Sequence, residues 1–209
     1  MLAQDLPPEP TALPTGFTQK DSKMSTPLNV VAVSGGAYRP SRTLVLAEAI
    51  AEAFGEHLAI QTQVVELGAI ARPLGSALSR SELPTDVETQ IQAIEAADLL
   101  IIASPVYRGS YPGLLKHLFD LVGQDALIDT PVLLAATGGS PRHALVIDHQ
   151  LRPLLSFFQS LTLPLGVYAS EADFHNYQIT CELLQARIRL AVDRALPLIT
   201  APRALRQIA

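Results

Sequence analysis

One cysteine, Cys181, stands among 209 residues. It cannot close an internal disulfide and offers no thiolate cluster to a metal, and this usage fits a reduced thiol in a cytoplasmic protein. Tryptophan is absent and aromatic residues make up 5% of the chain. Basic excess is missing too: 15 Lys and Arg face 20 Asp and Glu, for a formal charge of −5. Broad nucleic-acid binding needs a basic face to displace counterions, so that class is disfavoured. No uninterrupted apolar run approaches the roughly 18–20 residues of a membrane span. The N-terminal stretch lacks a basic start followed by an apolar core and is not Arg-rich, which argues against a secretory or transit peptide.

What the chain does have is core material. Apolar residues make up 48% and charged residues 17%, enough to bury one substantial domain at this length. The exception is "MLAQDLPPEPTALPTGFTQKDSK" (1–23), rich in Pro, Thr and small polar residues and without apolar periodicity. It reads as a disordered extension running to residue 27. Met24 stands just ahead of the first apolar run and is an alternative start to Met1; the intact mass of the native protein decides between them. The domain is expected over 28–200, with 201–209 a C-terminal tail.

From Leu28 the periodicities alternate. "LNVVAVS" (28–34), "IQTQVVEL" (60–67), "DLLIIAS" (98–104), "TPVLLAAT" (130–137) and "TLPLGVYA" (162–169) read as strands. Between them, 42–57, 84–97, 112–122, 141–160 and 178–199 carry helical spacing, such as Val87, Ile91 and Ile94. Residues 68–83 read as a loop. Strands that are apolar throughout are buried on both faces, which predicts a five-stranded parallel sheet between two helical layers. No repeat or second domain is visible.

In such a sheet, ligands bind beyond the carboxyl ends of the strands, where strand order reverses. The relevant loops are 34–43, 104–113 and 137–143, and all three are unusual. In "SGGAYRPSRT" (34–43) two glycines permit a tight turn. Ser41 and Thr43 add hydroxyls, Arg39 and Arg42 add charge and forked donors, and the following helix supplies free amides. The set suits a terminal phosphate monoester. Its spacing matches neither G-x-G-x-x-G nor G-x-x-x-x-G-K-[ST]. "SPVYRGSYPG" (104–113) is stiff and presents backbone and flat apolar edges, which suits a planar heteroaromatic ring. "TGGSPRH" (137–143) permits close backbone approach. Each loop also has a plain reading: a capped helix with exposed arginines, an ordinary connector, and a turn. Together they describe a mononucleotide laid across the switch point, with FMN the natural candidate.

Pro153 lies well inside the predicted helix 141–160 and cannot donate to the carbonyl of His149. A kink or a wider, π-type turn is therefore expected at about 149–153.

"VSGGAYRPSRT", "ASPVYRGSYPGLLKHLFDLV" and "ATGGSPRHALVIDHQLRPLLSFF" together resemble the NAD(P)H-dependent FMN reductases of the flavodoxin-like superfamily. The resemblance covers residues 28–199 and is closest to the reductase components of alkanesulfonate and methanesulfonate monooxygenase systems. It implies a flavodoxin-like three-layer sandwich with sheet order 2-1-3-4-5. It also implies a flavin phosphate on Ser34, Arg39, Ser41, Arg42 and Thr43, and a ring edge on Pro105, Val106, Tyr107, Arg108, Gly109 and Ser110. Thr137, Gly138, Gly139 and His143 would lie beside the ring. His149 would occupy the inserted position of a π-helix, where the alkanesulfonate branch carries tyrosine, and would gate flavin or line a subunit interface. The implied assembly is a homodimer or homotetramer, with Arg108 a candidate for the pyridine-nucleotide phosphates.

The implied activity is NAD(P)H-dependent reduction of FMN, leaning toward NADH, with reduced FMN passed to a separate sulfonate monooxygenase. Hydride transfer needs little acid–base help, so no catalytic base and no metal site are assigned. Two other readings share the fold: a quinone or azo reductase with FMN permanently bound, and a flavodoxin-type electron carrier. The scarcity of aromatics and the two loop arginines favour the first. The loop "SEADFHNYQ" (170–178) is open between plain surface and a part of a neighbouring pocket.

Overall fold

The computed structural model describes residues 26–200. Of the predicted extension 1–27, residues 1–25 lie outside the described residues, as does the predicted tail 201–209. Four strands set the frame: β1 (Leu28–Ser34), β2 (Ile60–Glu66), β3 (Leu99–Pro105) and β4 (Pro131–Gly138). They pair in parallel in the order β2-β1-β3-β4, and β5 (Leu161–Thr162) follows on β4. The expected order 2-1-3-4-5 is what forms.

Every residue of β3 is buried, so its two faces must both be covered. Alternation along the strands divides the apolar side chains between two cores. Val31, Val33, Leu100 and Ile102 pack toward Phe119. Val30, Ala32, Leu99 and Ile101 pack toward Phe54. The first core lies under α2 (Leu67–Ser76), α3 (Thr85–Glu95), α4 (Gly113–Leu121) and the segment 147–155. The second lies under α1 (Arg42–Gly55) and α6 (Glu182–Thr200).

The structure departs from the sequence reading in four places. Residues 67–76, expected mostly as loop, form α2, whose buried Leu67, Ile70 and Leu74 have helical spacing partly hidden by Gly68, Pro73 and Gly75. The single helix expected over 141–160 is divided. A 3₁₀ turn (Pro141–His143) leads to a π-helix (Ile147–Leu151) and then to α5 (Arg152–Phe157). The wider turn forecast from Pro153 is therefore present, centred two residues earlier. The predicted fifth strand is split into β5 and β6 (Val167–Ser170). The closing helix starts at Glu182 rather than 178, because β7 (Phe174–His175) and β8 (Gln178–Ile179) form a small antiparallel hairpin first.

The split of the edge strand has a clear cause. Thr162 pairs with Val132 and Val167 with Ala135, so five steps of the edge strand face three of β4 and two residues bulge out. Pro164 sits in the bulge and lacks a ladder donor. Arg152 donates to the Leu163 carbonyl at 3.2 Å, and Arg187 donates to that of Gly166 at 3.3 Å. Gly166 also lies where a Cβ would come within 2.6 Å of Ile147 Cγ2 on the π-helix and 3.2 Å of the Leu134 carbonyl. The bulge and the π-helix are thus packed as one unit. Gly166→Ala is expected to cost about 1–3 kcal/mol by overpacking, read as a lower urea midpoint at unchanged m-value.

Candidate functional site

The loops leaving β1, β3 and β4 meet around a cavity of about 240 Å³. The first loop is anchored where the Gly35 amide donates to the Ala103 carbonyl at 2.8 Å. It then swings outward and returns at Ser41, the N-cap of α1, whose hydroxyl accepts from the Leu44 amide at 3.2 Å. Among the described residues, no acceptor meets the amides from Gly36 to Thr43 (Pro40 has none to offer). A helix start with unpaired donors and a positive dipole end is suited to an anion.

The second loop is held to the third by the Val106 amide, which donates to the Thr137 carbonyl at 2.8 Å. Tyr107 and Ser110 then exchange backbone hydrogen bonds of 2.8 and 3.1 Å around a two-residue tip. Arg108 (φ 52°) and Gly109 (φ 82°) both take left-handed conformations there, as a type I′ turn requires. The Ser110 hydroxyl donates to Gln150 Oε1 at 3.0 Å, which ties this loop to the π-helix.

The third loop is bolted to the first by a buried 2.7 Å hydrogen bond between the hydroxyls of Thr43 and Thr137. Beside it, the Tyr168 hydroxyl donates to the Ser140 carbonyl at 2.6 Å. Burial, with a lesser push from Asp173, raises the Tyr168 pKa, so the phenol stays a neutral donor. A Cβ on Gly138 would lie 2.2 Å from that hydroxyl oxygen, so any larger residue must displace the phenol.

The two loop arginines are both held by carboxylates. Arg39 donates from Nε to Glu66 Oε2 at 2.8 Å, with a second bond from Nη2 to Oε1. That hydrogen bonding draws the Glu66 carboxyl below its ordinary pKa and raises that of Arg39. Arg42 donates from Nη2 to Glu171 Oε1 at 2.6 Å, and its guanidinium carbon lies 5.5 Å from the Tyr177 ring centre.

Of the residues expected at the site, Ser41, Arg42, Thr43, Pro105, Val106, Tyr107, Thr137, Gly138 and Gly139 line the cavity. Ser34 and Arg39 line a neighbouring hollow with Glu66. Arg108, Gly109 and Ser110 form the exposed tip and flank of the second loop, outside the cavity wall. His143 is exposed on the 3₁₀ turn. His149 sits in the middle of the π-helix and faces a different hollow, shared with Tyr111 and Phe157. Tyr38, Ser170 and Tyr177 also line the cavity and were not singled out from sequence. For Tyr177 a signal existed: "HNYQ" between Phe174 and Ile179 has the form of a short hairpin, with Asn176 and Tyr177 at positive φ. Ser170 and Tyr177 of the 170–178 segment thus lie on the wall of their own chain's cavity.

The sequence model of the family described as NADPH-dependent FMN reductase matches residues 28–175. The chain belongs to that family. It is 71% identical over 175 residues to the NADH-dependent FMN reductase SfnF of Pseudomonas fluorescens (strain Pf0-1), covering 84% of this chain and 94% of that protein. A protein of Pseudomonas aeruginosa named FMN reductase (NADPH) is 63% identical over 186 residues, 89% of this chain and all of that one. Among solved structures, the apo form of the NADH:FMN oxidoreductase EMOB superposes with a TM-score of 0.73 at 28% identity, covering 85% of this chain and 92% of that one.

The residues present fit the family's flavin: unpaired amides at the helix start for a phosphate, and close backbone at Tyr107 and Gly138 for a flat ring. Among the described residues no helix is long and apolar enough to cross a membrane, and no group of three or more His, Cys, Asp or Glu is arranged to hold a metal ion. Gly138→Ala is expected to drive the Tyr168 hydroxyl off the Ser140 carbonyl at a cost of about 1–3 kcal/mol. Adding Tyr168→Phe should recover part of that loss, and denaturant unfolding of the two variants checks it.

Proposed function

We propose that the protein is an NADH-using FMN reductase that takes FMN as a dissociable substrate. It releases reduced FMN to a separate flavin-dependent sulfonate monooxygenase in the cytoplasm, and it works as a homodimer or homotetramer. The observation that carries this reading is the run of unpaired amides from Gly36 to Thr43, opening onto a cavity whose far walls are the Tyr107 turn and the Gly138 edge. The preference for NADH is supported by relatives named NADH-dependent at 71% and 66% identity; the relative at 63% is named for NADPH.

The chain's own contribution is positioning. The amides at the start of α1 and the Ser41 cap would hold the phosphate end, and the backbone at Pro105–Tyr107 and Gly138–Gly139 would support the ring. The flavin, when bound, would supply the chemistry, acceptance of a hydride from reduced nicotinamide. No protein group need move a proton for that transfer, so orientation and exclusion of water supply the rate. Arg108, at the exposed tip of the second loop, is suited to meet the nucleotide's phosphates as it docks.

Desalted protein is expected to be colourless and to oxidise NADH only when FMN is added. Riboflavin, which lacks the phosphate, should support turnover with a KM about tenfold or more higher, in line with the 1.5–3 kcal/mol of hydrogen bonds to a charged group. Permanently yellow protein, or equal KM values for the two flavins, would overturn the reading.

A further inference from the structure

Both arginines of the phosphate loop have an acidic partner within the same chain, and the two partners differ in how they are held. Glu66 is the last residue of β2 and pairs with an arginine outside the cavity wall. Glu171 pairs with Arg42, which is part of that wall. Its position is fixed by a short device. Ser170 ends β6 and caps the turn Glu171–Asp173, its amide and hydroxyl donating to Asp173 Oδ2 at 2.6 and 2.8 Å. Burial pushes the Asp173 carboxyl up, but those bonds, together with one from Cys181, hold it below its ordinary pKa. The same segment then folds back as the β7–β8 hairpin and sets the Tyr177 ring against the Arg42 guanidinium. Arg42 is thus gripped by a carboxylate and an aromatic ring delivered by one ten-residue strap, 170–179.

The charge consequence is direct. Arg39 and Arg42 contribute two positive charges near the helix start, and Glu66 and Glu171 cancel both. A dianionic phosphate arriving there meets amides and hydroxyls, but a guanidinium already engaged, with a carboxylate close enough to repel it. We propose that Glu171 is an internal rival of the flavin phosphate for Arg42, a positioning residue that keeps FMN weakly held and hence exchangeable. This rests on the FMN reductase reading and deepens it: the carboxylate sets how fast flavin is surrendered.

The test is a fluorescence titration of desalted protein with FMN and with riboflavin, at low and high KCl, for wild type, Glu171→Gln, Glu171→Ala and Arg42→Ala/Glu171→Gln. Glu171→Gln should bind FMN about three- to tenfold more tightly, the scale of a partly exposed charge pair. Its riboflavin affinity should stay within about twofold of wild type. FMN affinity should fall more steeply with KCl in Glu171→Gln than in wild type, because a freed guanidinium now meets the phosphate. The Arg42→Ala/Glu171→Gln double variant should lose the gain. Glu171→Ala serves the same purpose if the glutamine variant folds poorly, with thermal melts reporting on both. Equal or weaker FMN binding by both Glu171 variants would overturn the proposal, and would make Glu171 an orienter of Arg42 instead. Equal changes for FMN and riboflavin would also overturn it, as an effect on strap packing. Wild type that binds no FMN would remove the flavin reading itself, and the proposal with it.

Discussion

The structure turns on the burial of both faces of β3. Seven consecutive residues, Leu99 to Pro105, have no solvent on either side, and a strand in that position must lie between two others with helices above and below. β1 and β4 supply the neighbours in parallel pairing, and the crossover connections that such pairing requires place the helices. Parallel pairing then has a geometric result: all three strands end on the same side. The turns at Gly35, Val106 and Gly138 are brought together by the sheet, not by any attraction among themselves. The cavity is the outer end of the core.

Hydrogen bonds then bind the three turns into a single body. Thr43 joins Thr137, Val106 joins Thr137, and Gly35 joins Ala103. The threonine pair is buried, where an unmade bond would be costly. Among the described residues, the amides from Gly36 to Thr43 are left out of this network. A rigid surround with a free row of donors is what an anion site needs, since no rearrangement precedes binding. Against that stands the neutralising arrangement of Glu66 and Glu171. The chain's family acts on FMN, and under the proposed function a site that offers dipoles but withholds net positive charge suits a flavin held weakly enough to be passed on.

Much of this was legible in the residues themselves. Continuous apolar runs such as "LLIIAS" announced buried parallel strands, and from that the carboxyl-end loops followed. Pro153 announced a defect in its helix because it removes a donor, and a π-helix lies beside it. Other features depended on partners that a linear reading does not display. Arg39 and Arg42 read as free charges, and only the fold brings Glu66 and Glu171 to them. Leu67, Ile70 and Leu74 make a helical face, but Gly68, Pro73 and Gly75 gave that stretch the look of a loop. Tyr177 sits 135 positions beyond Arg42 in the chain and meets it only because β8 doubles back.

The two extra residues in the outermost strand reach beyond the local geometry. A sheet's rim is a template on which another chain can lay a strand, with aggregation as the usual result. Here that rim is cut into lengths of two and four residues, with Pro164 and Gly166 between them. Two carbonyls of the interruption, those of Leu163 and Gly166, are already claimed by Arg152 and Arg187. An intruding strand would find no unbroken ladder to copy on that side, so the bulge that seats the π-helix also blunts that edge of the sheet against neighbouring molecules.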